Sequence, residues 1–255
     1  MDLLSATADR FHGVDVDPTL LPDEPAAFGR SLRRSLTAWR RAGRRLVWLE
    51  VPIERAALIP VATQAGFVFH HSRPRAVMLT RKLRPDAVVP APATHHIGAG
   101  GVVLSSSREL LVVAERYFWT PGQPPRYKLP GGALQEGEHL VDGVIREVRE
   151  ETGIRTQFDA LVCFRHWHEY RHGKSDIYFV TRLQPLTRRI RRQQEEIAEC
   201  RWMPVEDYLA SPQVSPFNRL AVRAALDDPG LRHADVEGYE DRRRFEVFMP
   251  AGTSA

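Results

Sequence analysis

The 255-residue chain contains only two cysteines, Cys163 and Cys200, and only three lysines, at positions 82, 128 and 174. Two thiols make neither a disulfide framework nor a zinc-ligand set, so both are expected to be reduced and buried. No apolar run approaches the roughly 18 residues of a helical membrane span, and the first residues lack the basic-then-apolar order of a secretory signal. A soluble cytoplasmic protein with no membrane contact is therefore expected. Internal repeats and low-complexity tracts are also missing, which excludes a solenoid. Because lysine is so scarce, the net charge of +4 and the pI near 9.3 come almost entirely from arginine. Arginine suits bidentate phosphate contacts. Here it is spread along the chain rather than gathered in a stripe, which argues against a general nucleic-acid partner and for a charge-mixed, solvated surface. The 43% hydrophobic content suffices for a core, and the length admits two domains.

The chain is organised around residues 132–154, GALQEGEHLVDGVIREVREETGI, a glycine turn leading into a helix expected over 139–152. Leu140, Val141, Val144, Ile145 and Val148 form its apolar stripe, and Gly153 is its stop. The last turns carry Glu147, Glu150 and Glu151. A helix C-terminus favours cations, and the like-charged i,i+4 pair Glu147 and Glu151 costs roughly 0.2–0.5 kcal/mol. Stability alone does not choose this arrangement. A hard divalent cation does, because Mg²⁺ takes carboxylate oxygens together with waters and phosphates.

Ahead of this stretch, Phe28, Leu32, Leu36 and Trp39 mark an amphipathic helix ended by Gly43. Residues 46–51 read as a strand, 54–64 as a helix despite Pro60, and 67–71 and 76–83 as two further strands. The prolines at 85, 90 and 92 mark a stiff linker. Strands over 97–104 and 110–117 are expected to pair as a hairpin. After the central helix come strands over 161–170, 175–183 and 199–203, helices over 205–209 and 216–226, and a terminal strand over 245–249. These divisions give an N-terminal α/β domain over 1–92, a second domain over 93–212, and a helix and tail over 213–255 packed on it.

Gly132, Glu138, Arg146, Glu147, Val148, Glu150, Glu151, Gly153 and Ile154 meet every position of the pattern G-x5-E-x7-R-E-U-x-E-E-x-G-U, where U is apolar. With average residue usage a chance match in such a chain is on the order of one in ten million. The stretch resembles the Nudix box, and Tyr127 to Gly132 resembles the family's usual approach to it. The resemblance implies an α/β/α sandwich with a mixed sheet, and hydrolysis of a nucleoside diphosphate linked to another moiety with Mg²⁺ or Mn²⁺. It places the metal on Glu147, Glu150, Glu151 and the carbonyl of Gly131, with Glu138 and Arg146 as orienting partners. Glu151 is one candidate for the general base; Glu195 and Glu196, before the last strand, are others. The first 92 residues, through VWLEVPIERAALIPVATQAGFVFHH, resemble the pre-Nudix domain of a plant and animal subgroup, similar in fold to GNAT acyltransferases. An acyltransferase also needs a glycine-rich loop opening a helix; the nearest stretch, 40–45, has one glycine at a helix end. A packing or dimerisation module is the better expectation, a homodimer following only from the second of these.

Substrate choice lies outside the box. Arg126, Tyr170 and His168 are the candidate substrate contacts, the last two within an aromatic cluster that also holds His166, Trp167 and His172. Arg188, Arg189, Arg191 and Arg192 could meet phosphates, although a solvated run is the commoner role. Tyr170 points weakly to dinucleoside polyphosphates. The whole-chain likeness, including CRWMP at 200–204, points to ADP-ribose or NADH. The rivals are a capped-RNA hydrolase and a non-catalytic nucleotide sensor.

Overall fold

The computed structural model describes residues 3–118 and 122–253. The chain divides into two compact units, Met1–Thr94 and His95–Ala255.

In the first unit a five-stranded sheet has the order β1 (Ala6–Ala8), β2 (Gly13–Val16), β3 (Leu46–Pro52), β5 (Ala76–Lys82) and β4 (Val68–Arg73). Helix α1 (Pro25–Arg41) turns Phe28, Leu32 and Leu36 into the core against Val47, Leu49 and Leu79. Gly43, with φ of 76°, closes that helix with a backbone conformation unfavourable to other residues. The expected helix over 54–64 is broken. A 3₁₀ segment, Ile53–Leu58, with Arg55 out of helical conformation inside it, precedes α2 (Ile59–Gln64). The reason is Pro60, which lacks an N–H for a helix interior but is tolerated in a first turn, where it now sits. Strands β1 and β2 had no signal in the sequence because each is short; β2 is fixed by parallel pairing with β3. The proline-bearing stretch begins against this unit, with Ala87 buried and the Arg45 guanidinium donating to Asp86.

The second unit contains a six-stranded mixed sheet, ordered β13 (Phe248–Pro250), β12 (Leu231–His233), β9 (Thr156–Trp167), β10 (Ser175–Pro185), β6 (His95–Val103) and β8 (Gly131–Ala133). A separate antiparallel pair joins β7 (Glu109–Glu115) to β11 (Ile197–Pro204). Helix α3 (Leu140–Thr152) covers one side, where Val144 and Val148 meet Ala99, Val103 and Leu183. Helices α4 (Val205–Ala210) and α5 (Pro216–Asp227) cover the other, where Tyr208 and Val222 meet Val102 and Val180. This is a three-layered α/β/α arrangement. The expected hairpin over 97–117 does not form. β6 and β7 meet only at the Leu104–Leu110 bridge. Both strands are buried along almost their whole length, and each pairs elsewhere: β6 lies between β10 and β8, and β7 pairs with β11. Residues 213–255 belong to this unit: α5 fills its core and β12 and β13 extend its sheet. Cys163 and Cys200 are free but only half-buried, at the margins of the two clusters.

Phe28 is fully enclosed. Phe28→Ala is expected to cost about 3–5 kcal/mol, measured by urea unfolding of the whole chain; a loss below about 1 kcal/mol would contradict its place in the core.

Candidate active site

Helix α3 has no side-chain cap of its own at His139. Glu246, from the tail, accepts the N–H groups of Leu140 at 2.9 Å and Val141 at 3.3 Å, placing a carboxylate at the positive end of the helix. At the other end Gly153 adopts φ of 74°. The backbone N–H groups of Arg191 and Gln193 donate to the carbonyls of Thr152 (2.8 Å) and Glu151 (3.0 Å), satisfying two of the orphan acceptors there. The arginine-rich connection thus serves the helix end through its backbone. Two of its side chains are engaged elsewhere, Arg188 with Glu109 and Arg192 with the carbonyls of Ile197 and Ala198.

One guanidinium gathers the carboxylates. Arg146 donates through Nε to Glu138 Oε1 at 2.7 Å and through Nη2 to Glu138 Oε2 at 2.8 Å, a bidentate pair. Its Nη1 reaches Glu147 at 2.7 Å and Glu150 at 3.0 Å. The Glu138 carboxyl is held below its ordinary range chiefly by this bond, and the guanidinium is raised in return. Glycines let the parts approach: a Cβ on Gly132 would lie 2.6 Å from Glu147 Oε2, and one on Gly143 would lie 3.0 Å from Glu138 Oε2.

Glu151 is set apart. It is 7% exposed and accepts the N–H of Gly131 at 2.8 Å. Burial pushes its carboxyl up to about 7, against the pull of Lys128 and the Gly131 N–H, with Glu147 and Glu115 adding to the rise. The Lys128 ammonium stands 3.8 Å from Glu151, 2.5 Å from Glu115 and 3.3 Å from the Gly131 carbonyl. Burial alone would depress that ammonium, but Glu151 and Glu115 outweigh it and hold it raised. Gly131 has φ of 147°, and a Cβ there would lie 2.2 Å from the Ala99 carbonyl, so only glycine fits.

A cavity of about 590 Å³ opens beside this corner, walled at one end by Glu115, Lys128, Gly131 and Gly132. The α3 glutamates do not form its wall. Of the expected substrate contacts, Tyr170 lines it. Arg126 lines instead a neighbouring cavity of about 470 Å³, sharing Glu115 and Lys128 with the first. His168 lies in neither; it is exposed, bonded to Ser175 Oγ at 2.9 Å and packed on His166, because it follows the last paired residue of β9. Glu195 and Glu196 sit in an exposed turn, where the backbone of Glu196 bonds Gln193 and Arg116. Four site residues went unassigned in the sequence: Lys128, Glu115, Tyr178 and Arg165. Lys128 had a signal, as a rare lysine in an arginine-rich chain inside the approach to the box. The others lie on strands whose neighbours are set by pairing.

Among the described residues no three His, Cys, Asp or Glu side chains converge as a ready-made cation site. The donor chemistry nevertheless fits a hard divalent ion. Glu147, Glu150 and Glu151 and the Gly131 carbonyl are oxygen donors, and burial raises the Glu151 carboxyl in spite of Lys128, so that a further cation beside it would be favourable.

Three carboxylates gathered by one arginine, with a buried fourth at a glycine corner beside a cavity, form a donor set suited to a metal-assisted hydrolase acting on anions. The comparisons identify which class. Residues 94–224 match the family model described as the NUDIX domain, and residues 4–83 match one described as the Nudix hydrolase domain. Nudix hydrolase 8 of Arabidopsis thaliana is 41% identical over 214 residues, 83% of this chain and 58% of its own length. Nudix hydrolase 2 of the same plant is 38% identical over 94% of this chain and 86% of its own length. The mouse protein named nucleoside diphosphate-linked moiety X motif 6 is 36% identical over 93% of this chain and 75% of its own. The chain belongs to the Nudix hydrolase family, whose members generally use divalent metal ions.

The raised Glu151 carboxyl stabilises the fold fully below its unfolded value near 4.5 and loses that contribution as pH rises through about 7. Without divalent ions, Glu151→Gln is therefore expected to melt a few degrees above the wild type at pH 8 and level with it near pH 4.5. Added Mg²⁺ should raise the wild-type melting temperature more than the variant's. A variant less stable than the wild type at pH 8 would refute this account of the burial.

Proposed function

We propose that the chain is a Mg²⁺- or Mn²⁺-dependent pyrophosphohydrolase cleaving a nucleoside diphosphate linked to another moiety, with ADP-ribose or NADH as the preferred class. The carrying observation is the union of a complete box with a carboxylate cluster fixed by Arg146 and a buried Glu151 at the Gly131 corner. Glu147, Glu150, Glu151 and the Gly131 carbonyl would hold the metal. When bound, the ion neutralises phosphate oxygens and acidifies a water.

The chain's own residues supply the rest. Arg146 fixes the directions of Glu138, Glu147 and Glu150, so that little reorganisation remains when the substrate arrives. Lys128, at the cavity wall, puts a second positive charge beside the phosphates. Water adds across the P–O–P bridge, and its proton must pass to a nearby base. Glu151 is the best placed of the three candidates, being buried with a near-neutral carboxyl, whereas Glu195 and Glu196 face solvent. The name of the mouse relative refers to the same substrate class. Tyr170 in the cavity wall favours dinucleoside polyphosphates as the second reading.

The test is a panel of ADP-ribose, NADH, dinucleoside polyphosphates and capped RNA, with products resolved by chromatography. AMP release from ADP-ribose or NADH is expected with Mg²⁺, falling at least about a hundredfold in Glu151→Gln. Absence of any nucleoside monophosphate from every compound would sink the proposal.

A further inference from the structure

The end of the cavity away from Gly131 has its own construction. Register places His96, Gly98 and Gly100 of β6 beside Asp176, Tyr178 and Val180 of β10, and Arg165 and Trp167 of β9 beside the latter strand's Tyr178 and Asp176. Alternation puts all of these side chains on one face of the sheet. The Tyr178 ring lies over the two glycines; a Cβ would stand 3.0 Å from it at Gly98 and 2.2 Å from its hydroxyl at Gly100. The β6 glycines therefore clear a floor on which an aromatic ring lies flat.

Arg165 stands over that floor. Its Nη2 donates to Asp176 at 2.9 Å, and Asp176 is 6% exposed, so the guanidinium is anchored along one edge. Its Cζ lies 5.3 Å from the Trp167 ring, 5.6 Å from Tyr178 and 5.4 Å from Phe217, which enters from the start of α5. Arg165, Tyr170, Asp176, Tyr178 and Phe217 all line the cavity. Two polar atoms at this end, Arg165 Nε and His96 Nε2, are buried without a protein partner. Such orphans are uncommon in native proteins, and an ordered water or a bound group is one of their ordinary explanations.

We propose that Arg165, anchored by Asp176 and framed by Tyr178, Trp167 and Phe217, is the specificity-determining residue that receives a planar heteroaromatic base of the substrate. This deepens the pyrophosphohydrolase reading and rests on it for the phosphate end at Lys128 and Gly131. A second phosphate is the poorer occupant, since Asp176 already neutralises the guanidinium and would repel an added anion. A base, by contrast, gains from the rings and from the flat guanidinium, whose face is open to stacking even when its edge is paired.

The experiment is calorimetric binding to the full chain with Mg²⁺, using AMP, nicotinamide mononucleotide and ribose 5-phosphate, the last lacking a base. The wild type is expected to bind at least one of the two base-bearing compounds on the order of tenfold more tightly than ribose 5-phosphate; which one identifies the base. Arg165→Ala and Arg165→Lys should abolish that preference and leave ribose 5-phosphate affinity unchanged, lysine keeping the charge but not the plane. Asp176→Asn, which frees the guanidinium from its counter-ion, should shift the preference toward ribose 5-phosphate. The assignment is overturned if the wild type shows no preference, if Arg165→Ala weakens all three ligands alike, or if the preference survives both Arg165 variants. An Arg165-dependent preference without turnover of any panel substrate would overturn the hydrolase reading alone.

Discussion

The site depends on concentrating negative charge where a helix resists it. Three carboxylates, Glu147, Glu150 and Glu151, lie in the C-terminal turns of α3, where the macrodipole and mutual repulsion both oppose them, and a fourth, Glu138, precedes its start. Arg146 offsets three of them with four short charge-assisted bonds. Glu151 is left outside that clamp, with Lys128 and one backbone N–H for company. The division separates three carboxylates whose directions one guanidinium fixes from a fourth whose carboxyl is raised by burial.

The rest of the unit holds α3 in place for that purpose. Its apolar stripe is pressed on the sheet through Val144 and Val148. Its start is capped by Glu246 and its end by the backbone after Ile190, so both sets of orphan groups find partners far away in sequence. The tail beyond α5 is consequently part of the catalytic unit: removing it would strip the N-terminal cap from the helix that carries the carboxylates and two strands from the sheet edge. On the opposite face of the sheet, the glycines of β6 trade side-chain packing for a ring laid flat along the cavity floor.

Much of this was legible beforehand. The stripe, stop and acidic spacing of residues 139–154 are local properties, carried by a 3.6-residue period and a left-handed glycine, and α3 follows them closely. Long amphipathic or β-branched segments, such as α1 and β3, were legible for the same reason. Errors arose where partner choice decides the outcome. The 97–117 hairpin was inferred from adjacency and a polar turn, yet burial on both faces sends β6 and β7 to different ladders. Arg126 and His168 stand apart from that error: they were chosen for residue type, and the fold places Arg126 in the wall of the cavity next to that of Tyr170 and His168 just beyond the end of β9.

By itself, then, the amino-acid sequence determined the local form of the box: which glutamates the helix carries, where that helix stops, and that glycine must precede it, because these follow from covalent spacing and backbone conformation. Only the tertiary structure decided what surrounds them. That Lys128 meets Glu151 and Glu115, that Glu246 caps α3 across 106 residues, and that Arg165, Asp176 and Tyr178 share one face with the β6 glycines all depend on strand order and register. Those are set by the burial of whole strands against one another, a sum over many weak contacts that no short stretch of residues encodes.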